Sequence, residues 1–373
     1  MEYQQAEKRL SGVIESMRFP LIYLVVIAHM VSFETPRVTL SWDSQDIYTF
    51  VSEMISHNLA KLSVRCYFLI SGYYLFKRFV EWNNDVYAGQ LKKKIRTLLI
   101  PYLLWNLILI VAIYVKYHLF AYFGLGSPAN NAADRAALVE NSGYNLLWGM
   151  PINFPLWYMR DLICMTLISP FFYLVFKYLR IYGLLLLAVF YFTVHHTDIP
   201  GFSSTAVFFF GVGAYFAQHQ KNPLLLSEGI KSQLLLLAAV LLLICTLLNG
   251  TVYHEYVLRL FVPIGAVALI NIFDIINKKE GVRNVLAKLA PTSFFIYVAH
   301  EVYIINWLKG GWASLAINTS GWGKLLGYFI VPLLCIGVCI GLYSILKKIS
   351  PALLGILTGG RMSRFVYKEG GKR

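Results

Sequence analysis

Charge is what this chain has least of. Only 14% of its 373 residues are Asp, Glu, Lys or Arg. A soluble chain of this length needs more polar cover than that, which excludes a soluble two-domain protein. Acid is scarcer still: 19 Asp and Glu stand against 33 Lys and Arg, a net charge of +14. The five cysteines, Cys66, Cys164, Cys245, Cys335 and Cys339, all sit inside apolar runs. No CxxC and no Cys/His spacing accompanies them, so they point to packing and to no metal framework. No small-residue cleavage site follows Phe33, so the first apolar run reads as an uncleaved anchor. Internal repeats and low-complexity tracts are missing too, as are the paired interrupted spans that mark many transporters.

What the chain has is apolar surface: 58% of it is hydrophobic. The 25 Tyr, 25 Phe and 8 Trp suit interfacial belts and a packed bundle. The expected fold is an all-α membrane protein, a polytopic bundle of about ten transmembrane helices. The candidate spans are 18–35, 58–76, 97–122, 155–176, 180–197, 202–218, 231–249, 255–276, 287–308 and 324–346. Residues 1–350 read as one transmembrane domain and 351–373 as a basic cytoplasmic tail, disordered or bound to the surface. With the N-terminus inside, the cytoplasmic segments hold 24 of the 33 Lys and Arg. The external ones hold only Arg37, Arg135, Lys309 and Lys324. That asymmetry sets an N-in, C-in topology. It also explains the positive charge without nucleic acid: the basic loops face an anionic leaflet and any anionic small molecule bound there. Two external segments, 34–57 and 124–154, are long enough to cover a site.

Arg18 and His29 bracket a charge-free run of the first span. Eleven residues bring a helix back to within ~20° of the same face and advance it ~16 Å. A permanent cation and a titratable imidazole thus share one stripe, and an imidazole in hydrocarbon is a functional signal. Lys61 and Arg65, Arg160 and Asp161, Arg259, His300 and Glu301 also fall inside spans. The topology puts His29 and these residues in the outer half of the membrane. That common depth predicts one polar cavity opening outward, lined by at least four helices. The competing reading makes Arg160–Asp161 and Arg259–Glu301 structural ion pairs, and lets Lys61 and Arg259 snorkel near helix ends. His195 and His196 read as an external turn, because neighbours on a helix face different ways. Ser71-Gly72 admits close helix packing, a role in group transfer, or a Ser–His protease dyad with His300. Against the dyad, Leu69 stands where a Gly-x-Ser-Gly pattern needs glycine.

Four segments then read together. They are Arg18 through His29; Cys66-Tyr-Phe-Leu-Ile-Ser71-Gly72; Lys93-Lys94-Ile95-Arg96 before Leu98-Leu-Ile-Pro101-Tyr102; and Ser293-Phe-Phe-Ile-Tyr297-Val-Ala-His300-Glu301. Their order and spacing resemble the acyltransferase-3 family of bacterial integral-membrane acyltransferases. Leu156-Trp157-Tyr158-Met-Arg160-Asp161 is similar to a segment of its surface-polysaccharide O-acetyltransferase branch, and Phe208-Phe-Phe-Gly211-Val-Gly213 fits a small-residue span of the family.

The resemblance implies about ten spans, an acyl-CoA donor on the cytoplasmic side and an acceptor presented outside or within the membrane. It implies Arg18 and His29 as the residues most needed, and a basic pair at Lys93 and Arg96. The residue chemistry agrees: guanidinium groups suit the phosphates of acetyl-CoA. His29 suits a general base acting on a hydroxyl. Arg65 or Arg160 suits an oxyanion, and Asp161 or Glu301 suits the orienting of an imidazole. His300, Ser71, Gly72 and Trp157 complete the candidate site. The expected acceptor is a surface glycan or lipid-linked glycan precursor, the expected home a bacterial inner membrane, and no metal is expected. The rival reading is a transporter or flippase for a glycan or lipid-linked substrate.

Overall fold

The computed structural model describes residues 2–78, 83–125, 142–195 and 199–361, with positions 132, 135, 136, 139 and 197. The described residues form helices and no strand. In chain order the α-helices of seven residues or more are α1 (Glu2–Ala28), α2 (Ser44–Glu53), α3 (Lys61–Phe76), α4 (Asn84–Lys94), α5 (Ile100–Tyr122), α6 (Trp157–Leu167), α7 (Ser169–Leu179), α8 (Ile181–Thr193), α9 (Ser204–Gln218), α10 (Lys231–Leu247), α11 (His254–Ile276), α12 (Glu280–Leu289), α13 (Ser293–Ala299), α14 (Ile305–Ala313), α15 (Gly321–Ile349) and α16 (Pro351–Leu357).

Each expected span meets helix, but not each helix has membrane-crossing length. Among the described residues four helices are long and apolar enough: Tyr3–Ala28, Asn84–Tyr122, His254–Ile276 and Gly321–Ile349. The pair α6 and α7 makes a fifth if the two count as one span bent by 57°. The bend sits where Pro170 enters, since proline has no amide hydrogen to continue the ladder. On that measure the expected ten is not reached. At 13 residues α8 spans only ~20 Å against a core of ~30 Å.

The first helix also begins long before Arg18 and ends before residue 35. Its charged half is tied down rather than solvated. Arg9 pairs with Asp274 of α11, and Glu7 pairs with Tyr73 and Lys77 and accepts from Asn222 at 3.0 Å. Hydropathy does not see a helix held by such bonds.

Two glycines set the tightest crossing. A Cβ on Gly72 would stand 2.1 Å from the Phe210 carbonyl oxygen, and one on Gly213 would stand 2.0 Å from that of Leu69. Helices α3 and α9 therefore meet backbone to backbone, which is the packing reading of Gly72. Around them Phe68, Phe172, Phe176, Phe209 and Phe210 are buried. Leu186, Val189, Leu236 and Leu333 are exposed, as faces turned to lipid would be.

The tail is the other departure. Helix α16 packs on the bundle, with Leu354 and Thr358 fully buried and the Leu357 carbonyl accepting from Trp105 Nε1 at 3.0 Å. Residues 351–361 are thus docked, neither disordered nor loosely attached. Residues 362–373 of the expected tail lie outside the described residues, as do His196 and Asp198.

Candidate active site

His29 stands at the first position beyond α1. Its N–H still donates to the Val26 carbonyl at 3.2 Å. Its own carbonyl, freed by the helix end, accepts from Lys309 Nζ at 2.7 Å. Its ring nitrogen Nδ1 lies 2.9 Å from Glu301 Oε1. A carboxylate there holds the proton on Nδ1 and leaves the Nε2 lone pair free. The His300 ring meets the His29 ring edge-on, with centroids 5.1 Å apart. His300 is fully buried; its Nδ1 bonds the Ile296 carbonyl at 3.0 Å, and its Nε2 has no partner among the described residues.

Consecutive residues on a regular helix point ~100° apart, so one helix should not offer both His300 and Glu301 to the same neighbour. Here the helix widens into a π turn over His300–Ile304. It breaks at Val302 (ψ 71°) and Tyr303 (φ 61°). The widened turn lets both side chains face His29, and such turns recur at functional sites. His29, His300 and Glu301 also have ligand atoms all within 4.8 Å of one another. They are the residues through which an ion would be held.

The residues expected to line one outward cavity fall into three groups instead. His29, His300 and Glu301 form the first. Arg160 and Asp161 form the second: Arg160 Nη2 donates to Asp161 at 2.9 Å, and Nη1 reaches the Trp148 and Gly149 carbonyls at 2.8 and 2.6 Å. This pair anchors the segment before α6, as the structural reading anticipates. The third gathers around Arg259, which pairs with Glu255 at 2.8 Å and not with Glu301. Arg259 also donates to the Tyr191 carbonyl and, at 3.0 Å, to that of His195. Arg65 lies within electrostatic range of Tyr191, Glu255 and Arg259, and its Nε is buried without a partner among the described residues. Lys61 sits beside it.

A cavity of 1190 Å³ opens along the Arg18 end of the first helix. Six cations line it, Arg18, Arg78, Lys93, Lys94, Lys288 and Arg361, against the one carboxylate of Glu15. Arg18 has no side-chain partner among the described residues, while its carbonyl accepts from Tyr67 at 2.7 Å. Lys94 takes the place expected of Arg96, which is exposed and lies outside the lining. The deep end is made by Val25, Ser71, Tyr158 and Tyr297. Ser71 Oγ is 3.4 Å from Tyr158 Oη, and no histidine among the described residues bonds to it. The Tyr158 ring packs on Phe68 at 4.6 Å and on Tyr297 at 5.9 Å. Trp157 stays outside the lining and packs on Phe68 at 6.4 Å. Val25 is one helical turn, ~6 Å, below His29. Sequence reasoning passed over Tyr158, Lys288 and Arg361 as site residues.

A family described as an acyltransferase domain matches residues 12–344, nearly the whole chain. The chain belongs to the acyltransferase-3 family. It is also 26% identical, over 362 residues, to the succinoglycan biosynthesis protein ExoH of Rhizobium meliloti strain 1021. That alignment covers 95% of this chain and 94% of the relative. No solved structure matches significantly. Within the acyltransferase-3 match, both Arg18 and the His29–Glu301 pair lie inside the aligned region, whereas Arg361 lies beyond it.

Proposed function

We propose that this chain is a multi-pass O-acyltransferase of a bacterial inner membrane. In this reading it moves an acyl group, in the simplest case acetyl, from acyl-CoA to a hydroxyl of a surface polysaccharide or its lipid-linked precursor. The observation that carries the reading is the His29–Glu301 pair standing one turn above a cavity walled by cations. The family membership and the polysaccharide in the name of the ExoH relative support the reaction class and the acceptor class.

The chemistry follows from the geometry. Arg18, Lys93 and Lys94 offer the donor's phosphates charge-assisted hydrogen bonds, and the arm runs along α1 toward Val25. Nε2 of His29 takes the hydroxyl proton as the oxygen attacks the thioester carbonyl. The carbon–sulfur bond breaks, and the imidazolium returns its proton to the leaving thiolate. Glu301 stabilises the imidazolium while it exists. N-in, C-in topology with about ten spans then puts the cavity mouth on the side where acyl-CoA is made. Holding a glycan for transport calls for no such base.

The test is transfer of label from radiolabelled acetyl-CoA into extracted glycan, using membranes with wild-type chain, Arg18→Ala or His29→Ala. His29→Ala should lower turnover by about 10²-fold or more at equal protein level. Arg18→Ala should raise KM for the donor. Full transfer by His29→Ala would remove the histidine from the mechanism. Substrate movement with no covalent product would favour the transporter.

A further inference from the structure

The match to the family stops at residue 344, yet the chain goes on to build part of the cavity wall. After α16 the backbone turns on two left-handed glycines, Gly359 (φ +61°) and Gly360 (φ +76°). A Cβ on Gly359 would stand 2.6 Å from the Thr97 carbonyl oxygen, so that position excludes a side chain twice over. The turn delivers Arg361 into the chamber. Its Nη1 donates to the Thr97 and Thr358 carbonyls at 2.9 and 3.1 Å, and its guanidinium lies over the Phe294 ring at 4.1 Å. Nε and Nη2 are left without partners among the described residues.

We propose that Arg361 is a phosphate-binding residue of the acyl-CoA donor site, presented by the docked C-terminal segment rather than by the transmembrane domain. The inference rests on the acyltransferase reading given above and adds to it a binding group from outside the matched region. Three observations converge on it. The guanidinium is anchored at one nitrogen and stacked on one face, which leaves its second edge for a bidentate contact. The other cations of the wall, Arg18 and Lys94 among them, surround it with positive charge. Burial, and to a smaller extent the charge of Arg18, pushes its guanidinium down to about 10. A desolvated cation without a carboxylate is relieved by an anion.

The experiment is calorimetric titration of the full-length protein, in nanodiscs of a neutral phospholipid, with CoA and with pantetheine, which lacks the nucleotide phosphates. Arg361→Gln should weaken CoA binding by about tenfold or more and leave pantetheine binding unchanged. Arg361→Lys, which keeps the charge, should recover part of the loss and show that the segment still docks. Three results would overturn the proposal. One is wild-type CoA affinity in Arg361→Gln. Another is equal loss for CoA and pantetheine, the mark of a merely structural anchor. The third is Arg361-dependent capture of phosphatidylglycerol in mixed nanodiscs with no effect on CoA, which would make the phosphate a lipid's. Absence of CoA binding by the wild-type chain would instead overturn the donor assignment beneath the proposal.

Discussion

A histidine becomes a usable base only when one nitrogen is spoken for and the other is free. Glu301 does this for His29 across 2.9 Å, and His300 fills the space on the other side of the ring. Substituting Glu301→Gln keeps the shape but removes the charge that fixes the tautomer and steadies the imidazolium. The expected result is a fall in kcat of about 10²-fold or more with donor KM nearly unchanged, read from initial rates over a donor series. An unchanged kcat would reduce Glu301 to a packing role. The sequence makes His29 and Glu301 legible as rare ionisable groups in apolar surroundings. It allows Glu301 to orient an imidazole without saying which one, and it leaves Arg259 as a competing partner. The Arg259 side chain goes instead to Glu255, one turn earlier on its own helix, and to carbonyls at the end of α8. An i,i+4 partner is always in reach, whereas a distant one depends on how helices pack.

Helices are read from periodicity and composition, and both serve well here until a helix is bent or broken. The span expected at 287–308 contains neither proline nor glycine after Pro291, so nothing in it announces the π turn at His300–Ile304. The turn packs against α15 and faces His29, contacts that no single-segment pattern carries. Pro170, by contrast, is a visible mark of the bend between α6 and α7, yet the expected span at 155–176 runs straight through it. The contact of α3 with α9 was half visible, in Ser71-Gly72 and Gly211-Val-Gly213, but not as one crossing. Gly213→Ala would push a methyl group into the Leu69 carbonyl, with no flexible side chain to yield. Overpacking of this kind costs about 1–3 kcal/mol or more. The variant should show a lowered melting temperature in detergent by intrinsic fluorescence, and an unchanged melt would mean the helices separate at little cost.

At the scale of the whole molecule, the proposed N-in, C-in orientation is open to labelling. All five cysteines are buried, so the native chain should be silent toward a membrane-impermeant maleimide. Lys92→Cys and Glu280→Cys should label only after membranes are opened, and Ile317→Cys in intact cells; the reverse pattern would invert the topology. The tail was the least legible part: its cations, from Arg361 on, suggest solvation, while its apolar opening, Pro351–Leu357, is too short to read as a span. A further consequence lies in the shape of the cavity. A chamber of 1190 Å³ on one side of a bilayer leaves little thickness to separate two aqueous compartments. In the orientation proposed, the aromatic cluster of Phe68, Tyr158 and Tyr297 is then the insulation as well as the end of the donor channel. On the proposed donor path, these rings admit the reactive end of the donor toward His29 while keeping ions from following it.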